Sequence, residues 1–565
     1  MQDLENLILA LSLENALKFN AKAEFGSVIG KLLSIKPELK QEIKKITPII
    51  QERIREVNKL TRKRQEEKFK DLKSLIEVKP ITKKHEVLPE LKNAKIGHVI
   101  TRFAPYPSGP LHIGNAKQLL INDYYARKYK GKYYLVFDDT IGSEEKNIEK
   151  DAYNLILDAA KYLGVHFDKV FYKSERLDIY YSYAKELVKK DKAYVCFCDA
   201  TTLRVNREKS LECIHRNQSI KQNLDYLKEM LKGALKEGEA TLRIKTDLKH
   251  KNPAFRDRVL LRISNRDHPR VKKKYKVWPL LDFSWAIDDH LLSITHIIRG
   301  KELMIESDMQ RYIWNIFSWP NIEIIHTGLV QIKGVKISKS KSKQEVKQKI
   351  YSGWDDPRTW SIQSLAKRGI KADAIRTFCL SRGLSQGETQ VPIENLYAEN
   401  RKLLEKDSNR YFFVSEPVKI EIKNAPVKKV ELDLHPNYPE RGKRKFDTRN
   451  EFYITKKDFE QIKENKIYRL MECLNFKKQK KEFVFVSEDY KDFKEKGDRI
   501  MHYLPADIPQ VNVEVVMPDA TRVLGLGERA LENLKVGEVI QLERFGFARL
   551  YHKEKQKLIF YFTHN

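Results

Sequence analysis

Cysteine is scarce in this chain. Five thiols in 565 residues cannot make a disulfide scaffold. Three of them fall close together, which points to a metal rather than to cross-links. Long apolar runs are missing too: none approaches the roughly 18 residues that a membrane span needs, so no membrane partner is expected. The opening MQDLENLILALSLENALKF carries acids where a secretory signal carries basic residues, and the expected location is the cytoplasm. Acidic residues are in deficit, with Asp+Glu at 78 against Lys+Arg at 108 and a net charge of +30. Such a surplus makes a polyanion, nucleic acid first, the leading partner. The plain alternative is a composition rich in both Lys and Glu that answers to no partner.

What is present calls for roughly three to five domains, since a chain of this length cannot share one core. Residues 1–92 read as a helical domain, with apolar residues at three- and four-residue steps (Leu4, Ile8, Leu11; Ile29, Leu32, Leu33). Its Arg- and Lys-rich part, Gln51 to Lys73, fits a surface for RNA or a protein partner, or a solvated helix face. Residues 93–193 alternate strand and helix: IGHVITRFAP, a helix from Ile113 to Lys130, YYLVFDDT, and a helix from Glu144 to Leu163. That alternation predicts a Rossmann-type parallel sheet with ligands at the C-terminal strand ends. Arg102 and Asp138 would stand at such ends; for Asp138 to Thr140 a helix-cap and turn cluster is the alternative. The stretch TRFAPYPSGPLHIGN, Thr101 to Asn115, runs through a Pro-rich loop into a helix N-terminus, which suits a phosphate-bearing ligand.

Residues 194–276 read as an insertion. A strand AYVCFC brings Cys196 and Cys198, and Cys213-Ile214-His215 follows. Three thiolates and one imidazole make a complete tetrahedral zinc set; two plain buried cysteines on one strand face are the alternative. Densely basic strands between Ala240 and Pro279 would face a phosphate backbone. Residues 277–343 resume the sheet with DFSWAIDDHLLSITHIIRG, a helix from Glu302 to Phe317 and the strand IEIIHTGLVQI. Then comes Lys336-Ile337-Ser338-Lys339-Ser340, a loop whose lysines can stabilise charge developing on a triphosphate. Residues 344–415 are helical again, and 416–565 read as short strands forming two small β-barrels. Their aromatic and arginine content suits stacking on unpaired bases.

TRFAPYPSGPLHIGN followed by KISKS resembles the paired ATP-binding signatures of class I aminoacyl-tRNA synthetases. VFDDT, KHKNPAFRD, HPRVKKKYKVWP, GWDDPRTWSIQSLAKRGI, NLYAENRKLLEKDSNRYFFV, HPNYPERGKRKF and QLERFGFARL are similar to the glutamyl/glutaminyl branch, in its archaeal and eukaryotic glutamyl-tRNA synthetase form, from about residue 95 onward. The resemblance implies an α/β Rossmann-type catalytic domain with an inserted acceptor-binding domain, a helical stem-contact region and anticodon-binding β-barrels. It implies ATP with Mg2+, L-glutamate and tRNA(Glu) as substrates, with tRNA(Gln) a second candidate. By position, His112 and Lys339 would be catalytic. Pro105, His112, Gly114, Asn115, Lys336, Ser338 and Lys339 would hold ATP, and Arg102, Asp138 and Arg299 would hold glutamate. A guanidinium at Arg299, where glutaminyl enzymes have a small residue, would grip the side-chain carboxylate bidentately. Arg444 and Arg544 would meet the anticodon, and Cys196, Cys198, Cys213 and His215 a structural zinc. Asn115 departs from the family's histidine, Val136 from an arginine, Leu281 from a tyrosine, and Tyr106 fills a position often small or polar. A glutaminyl-tRNA synthetase on the same fold and an inactive tRNA-binding paralogue are the competing readings.

Overall fold

The computed structural model describes residues 2–18, 22–35, 39, 42–76, 88–141, 147–334 and 339–565. Two compact units emerge, Met1–Val87 and Leu88–Asn565. The first is a helical bundle of α1 (Gln2–Lys18), α2 (Phe25–Ile35), α3 (Ile43–Asn58) and α4 (Arg62–Ile76). Leu7, Ile8, Leu11, Val28, Leu32, Ile46, Ile50 and Val57 fill its centre, the residues that the three- and four-step apolar pattern puts on one helix face. Part of its basic stretch is engaged within the unit: Arg53 pairs with Glu5 and Glu56, Lys68 with Glu56, and Arg62 with Glu66.

The seam lies five residues before the expected boundary at 92, because residues 88–91 are tied to the second unit. Leu88 and Leu91 are buried against Val99, Ile121 and Tyr125. Tyr125 OH donates to Pro89 O at 2.7 Å, and Tyr129 OH accepts from Leu91 N–H at 2.9 Å.

In the second unit β1 (Ile100–Phe103), α5 (Ile113–Lys128), β2 (Lys132–Phe137), α6 (Ala152–Tyr162) and β3 (Lys169–Tyr172) make a parallel three-stranded ladder. After α7 (Leu177–Lys189) comes an inserted antiparallel sheet of β4 (Ala193–Cys196), β5 (Thr241–Ile244), β6 (Val259–Ile263) and β7 (Val277–Pro279), carrying α8 (Ala200–Lys209) and α9 (Ile220–Lys232). DFSWAIDDHLL is a helix, α10 (Leu281–Leu291), and the sheet resumes only at β8 (His296–Gly300); α11 (Met304–Ile316) leads to β9 (Glu323–Thr327). The β8–β9 ladder abuts β1: Thr295 N–H donates to Ile100 O (3.0 Å) and Ile100 N–H to Thr295 Oγ1 (2.8 Å). Five parallel strands thus run 3-2-1-8-9, with the reversal of order beside β1. One apolar core joins both sheets, from Tyr134 and Ile297 to Val195, Leu261 and Trp278.

Next come β10 (Val330–Ile332), α12 (Lys339–Lys347), α13 (Ile362–Lys367), α14 (Ala372–Leu380), β11 (Thr389–Val391) and α15 (Glu394–Asp407). The β region then begins at Arg410 rather than 416. Its two seven-stranded sheets each end in strands that adjoin in sequence: Arg410–Tyr411 and Phe413–Ser415 in one, Gly497–Met501 and Leu504–Pro505 in the other. Each sheet therefore curls back on itself, which gives the two expected barrels. Among the described residues no helix is long and apolar enough to cross a membrane.

Candidate active site

The α5 N-terminus is built by its own side chains. His112 Nδ1 accepts from Gly114 N–H (3.1 Å), and Asn115 Oδ1 accepts from His112 N–H (3.5 Å), a reciprocal cap. Asn115, the departure from the family's histidine, thus closes the turn that presents the helix end. Gly114 is needed for close approach: a Cβ there would lie 3.0 Å from the His112 ring and 3.3 Å from Val330 O. That carbonyl belongs to β10, the strand leading into KISKS. Buried Lys117 on α5 donates to Gly328 O (3.0 Å) and Gln118 to Thr327 Oγ1 (2.7 Å), so the first ATP-type signature is tied to the segment from β9 to β10 that precedes the second. Lys336 and Ser338 lie outside the described residues. Lys339 opens α12, of which Lys343 forms an ion pair with Glu149. Pro105 O accepts from Asp138 N–H (3.0 Å), joining the ends of β1 and β2.

Beside these strand ends lies a buried charged cluster centred on Trp285 of α10. Arg102, Lys173 and Arg299 surround its ring, at 5.1, 5.0 and 5.0 Å from the centroid. Arg102, expected to grip the amino acid, is closed: Nε and Nη2 both donate to Asp289, the latter at 2.8 Å. Its side edge is used up, which makes it a wall of the cluster. Lys173 Nζ donates to Ser284 Oγ (2.8 Å) and lies 3.0 Å from Asp138 Oδ1. That second contact pairs the buried ammonium with the buried carboxylate. Burial pushes the Lys173 pKa down, against the pull of Asp138 and Asp288. Asp288 accepts from Arg176 Nε (2.8 Å) and Tyr180 OH (2.5 Å).

Arg299 differs from the other cations. It is 5% exposed. Nη2 donates to Ser307 Oγ and to Gln310 Oε1, both at 2.5 Å, while Nε and Nη1 are buried without a partner. Among the described residues no carboxylate pairs with it. Burial, reinforced by the Arg102 charge, pushes its pKa down to about 9. The bidentate grip expected for this residue meets an obstacle, since both paired-donor edges of a guanidinium share Nη2. A ligand takes Nη1 and Nε singly, or displaces Ser307 or Gln310. Lys173, Trp285, Asp289 and Gln310 were not expected from the sequence. The signal for Trp285 and Asp289 was a helix of the second sheet half, residues 282–289, that is buried throughout yet carries Asp282, Asp288 and Asp289; Lys173 after β3 and Gln310 on α11 carried no such signal.

Away from this cluster, the donor atoms of Cys196, Cys198, Cys213 and His215 all lie within 4.8 Å of one another. Cys213 Sγ is 3.5 Å from each of the other sulfurs and 3.3 Å from His215 Nδ1. Tetrahedral zinc at 2.3 Å from sulfur would set sulfurs about 3.8 Å apart, so the cage fits zinc nearly unchanged. β4 ends at Cys196 and the chain turns, which brings Cys198 inward instead of leaving it on a strand face. Burial and the neighbouring thiols raise Cys198 to about 12, a protonated state that a divalent cation would reverse. Arg243 Nη1 lies 3.7 Å from Cys196 Sγ, ready to balance a thiolate.

The arginines expected at the anticodon are both engaged. Arg444 is 5% exposed, donates to Glu528 (2.7 Å) and stacks on Phe412 (4.4 Å). Residues 443–448 alternate outward and inward, and Arg444 shares the inward parity of Phe446, so it joins the barrels instead of facing solvent. Arg544 donates both Nη groups to Asp458 (2.7 and 2.8 Å) and clasps the barrels likewise.

A family model described as tRNA synthetases class I (E and Q), catalytic domain, matches residues 98–406; two anticodon-binding models of that family match 408–489 and 475–551. The chain is 38% identical to the glutamate–tRNA ligase of Methanosphaera stadtmanae and 41% identical to that of Pyrococcus horikoshii, over 100% of both chains in each case. It is 37% identical to that of Methanocaldococcus jannaschii, over 99% of this chain and 100% of the other. A solved glutamate tRNA ligase from Elizabethkingia meningosepticum aligns with 55% of this chain and 70% of its own, at 20% identity and a TM-score of 0.40.

Proposed function

The chain belongs to the class I tRNA synthetases of the glutamate and glutamine branch, and from that premise we propose how its residues divide the work of a glutamate–tRNA ligase. The α-carboxylate of glutamate attacks the α-phosphate of ATP, forming glutamyl-adenylate and releasing pyrophosphate. A hydroxyl of the 3′-terminal adenosine of tRNA then takes the acyl group and AMP leaves. Neither step requires a protein nucleophile, so positioning and charge stabilisation carry the rate.

The triphosphate lies at the α5 N-terminus, with Pro105, His112, Gly114 and Asn115 forming its cradle and Lys336, Ser338 and Lys339 supplying the second set of contacts. Mg2+ arrives with ATP and neutralises part of its charge. Asp138, a buried carboxylate that follows β2 and shares its charge with Lys173, receives the glutamate ammonium. The side-chain carboxylate goes to Arg299.

One observation carries the choice of glutamate: Arg299 is a sealed cation with two donor groups unused. Glutamine would bring an amide and leave that charge unpaired, and an uncompensated buried charge costs about 3–5 kcal/mol. That is roughly two to three and a half orders of magnitude in affinity, enough to dominate selection. ATP–pyrophosphate exchange in the presence of tRNA tests the reading. Glutamate supports exchange and glutamine does not; the reverse would identify a glutaminyl enzyme, and no exchange with either an inactive protein.

Cys196, Cys198, Cys213 and His215 hold a structural zinc that pins the start of the inserted domain. Elemental analysis should find about one equivalent per chain, and folded metal-free protein would refute this. The acceptor is tRNA(Glu), with tRNA(Gln) a second candidate, and charging a panel of purified tRNAs separates them. The work is cytoplasmic.

A further inference from the structure

The charged cluster around Trp285 contains three carboxylate–cation pairs: Arg102 with Asp289, Lys173 with Asp138, and Arg176 with Asp288. Arg299 could in principle have joined one of them. Asp289 and Glu306 are the competitors, since the charges of both are felt at Arg299 against the opposing charge of Arg102, and Glu306 is already paired with Arg258 at 3.3 Å. Between Asp289 and Arg299 stands Gln310, fully buried on α11. Its Nε2 donates to Asp289 Oδ2 (2.8 Å) and its Oε1 accepts from Arg299 Nη2 (2.5 Å). The orientation of this amide is fixed by chemistry, because a carboxylate can only accept and a guanidinium can only donate.

We propose that Gln310 is a positioning residue that sets amino-acid choice by keeping Asp289 and Arg299 apart. Its amide satisfies the carboxylate with a donor and the guanidinium with a neutral acceptor. The charges therefore stay divided into a closed pair, Arg102–Asp289, and an open cation, Arg299. Ser307 fixes the other Nη2 hydrogen and is itself held by His326 Nε2 at 2.7 Å. A neutral acceptor can yield to an incoming carboxylate; a charged one at the same place would not. This rests on the reading of Arg299 as the receptor of the glutamate side chain.

The test is aminoacylation kinetics with glutamate and glutamine for the wild type, Gln310→Glu and Gln310→Met. Gln310→Glu supplies Arg299 with a carboxylate from the protein. It should raise KM for glutamate by about a hundredfold or more, leave KM for ATP unmoved, and collapse the preference for glutamate over glutamine. Gln310→Met cannot supply charge and should raise KM for glutamate by less. Equal effects of the two variants, or a KM for ATP rising in step, would show a merely structural residue and overturn the proposal. So would an unchanged preference in Gln310→Glu. Should Gln310→Glu fail to fold, Gln310→Met alone decides, through a rise in KM for glutamate with none for ATP. A wild type that does not charge glutamate would instead refute the reading beneath it.

Discussion

Replacing Arg299 by glutamine keeps a polar side chain in the cluster and removes its charge. The carboxylate of glutamate would then be buried without a partner, and losing one partner of such a pair costs about 2–5 kcal/mol. The expected outcome is a fall in kcat/KM for glutamate of roughly thirtyfold to a few thousandfold, with KM for ATP nearly constant; a fall below tenfold would deny Arg299 its role. Asn115 makes a contrasting case. Asn115→Ala removes the acceptor for His112 N–H, a loss of about 0.5–2 kcal/mol in capping, and should raise KM for ATP severalfold. Asn115→His should stay within a few-fold of wild type, because the family's own residue fits that turn. Equal damage from both would mean that Asn115 contacts substrate in a way no histidine can. Arg299 was legible through the family resemblance, at the position where glutaminyl enzymes have a small residue, but its partners were hidden: Gln310 and Asp289 stand on two different helices, and only the fold brings them to one guanidinium.

Among the elements, the clasp between the barrels depends on pH. Burial works to raise the Asp458 carboxyl, but the hydrogen bonds and charge of Arg544 outweigh it and hold the pKa below the ordinary value. A carboxylate depressed in the folded state adds stability that is present above its unfolded pKa of about 3.9 and is lost as pH falls through the lower folded value. Asp458→Asn removes that contribution at neutral pH and should lower the melting temperature of the C-terminal region, with less further loss on acidification than in wild type. Identical acid profiles would show that the clasp carries no stability. Strand alternation in KRKFDT made Arg444 readable as an inward residue from the parity of Phe446, whereas Arg544 gave no such signal, since it occupies a turn at φ +61. The cluster of three thiols and one imidazole was legible because four residues of metal-ligating kind fall within 20 residues, Cys196 to His215.

Across the whole second unit, the ATP signature and the last strand are linked by short steps. Arg368, just after α13, donates to the carbonyls of Phe562 and Thr563 (3.2 and 2.9 Å), and Thr563 Oγ1 donates back to Arg368 O at 2.5 Å. At the other end of α13, Ile362 N–H donates to Leu111 O (2.9 Å) and Ser361 bridges His112. The order of domains was legible from alternating strands, helices and turns. Their seams were not, because residues 88–91 and 410–415 are fixed by packing and pairing with distant residues.

The central claim is that one open buried cation selects glutamate. It is tested most directly by the ratio of kcat/KM for glutamate to that for glutamine, measured for the wild-type chain on purified tRNA(Glu). The open Arg299 predicts a ratio of at least about a hundredfold in favour of glutamate. Comparable charging of the two amino acids, or a preference for glutamine, would contradict it.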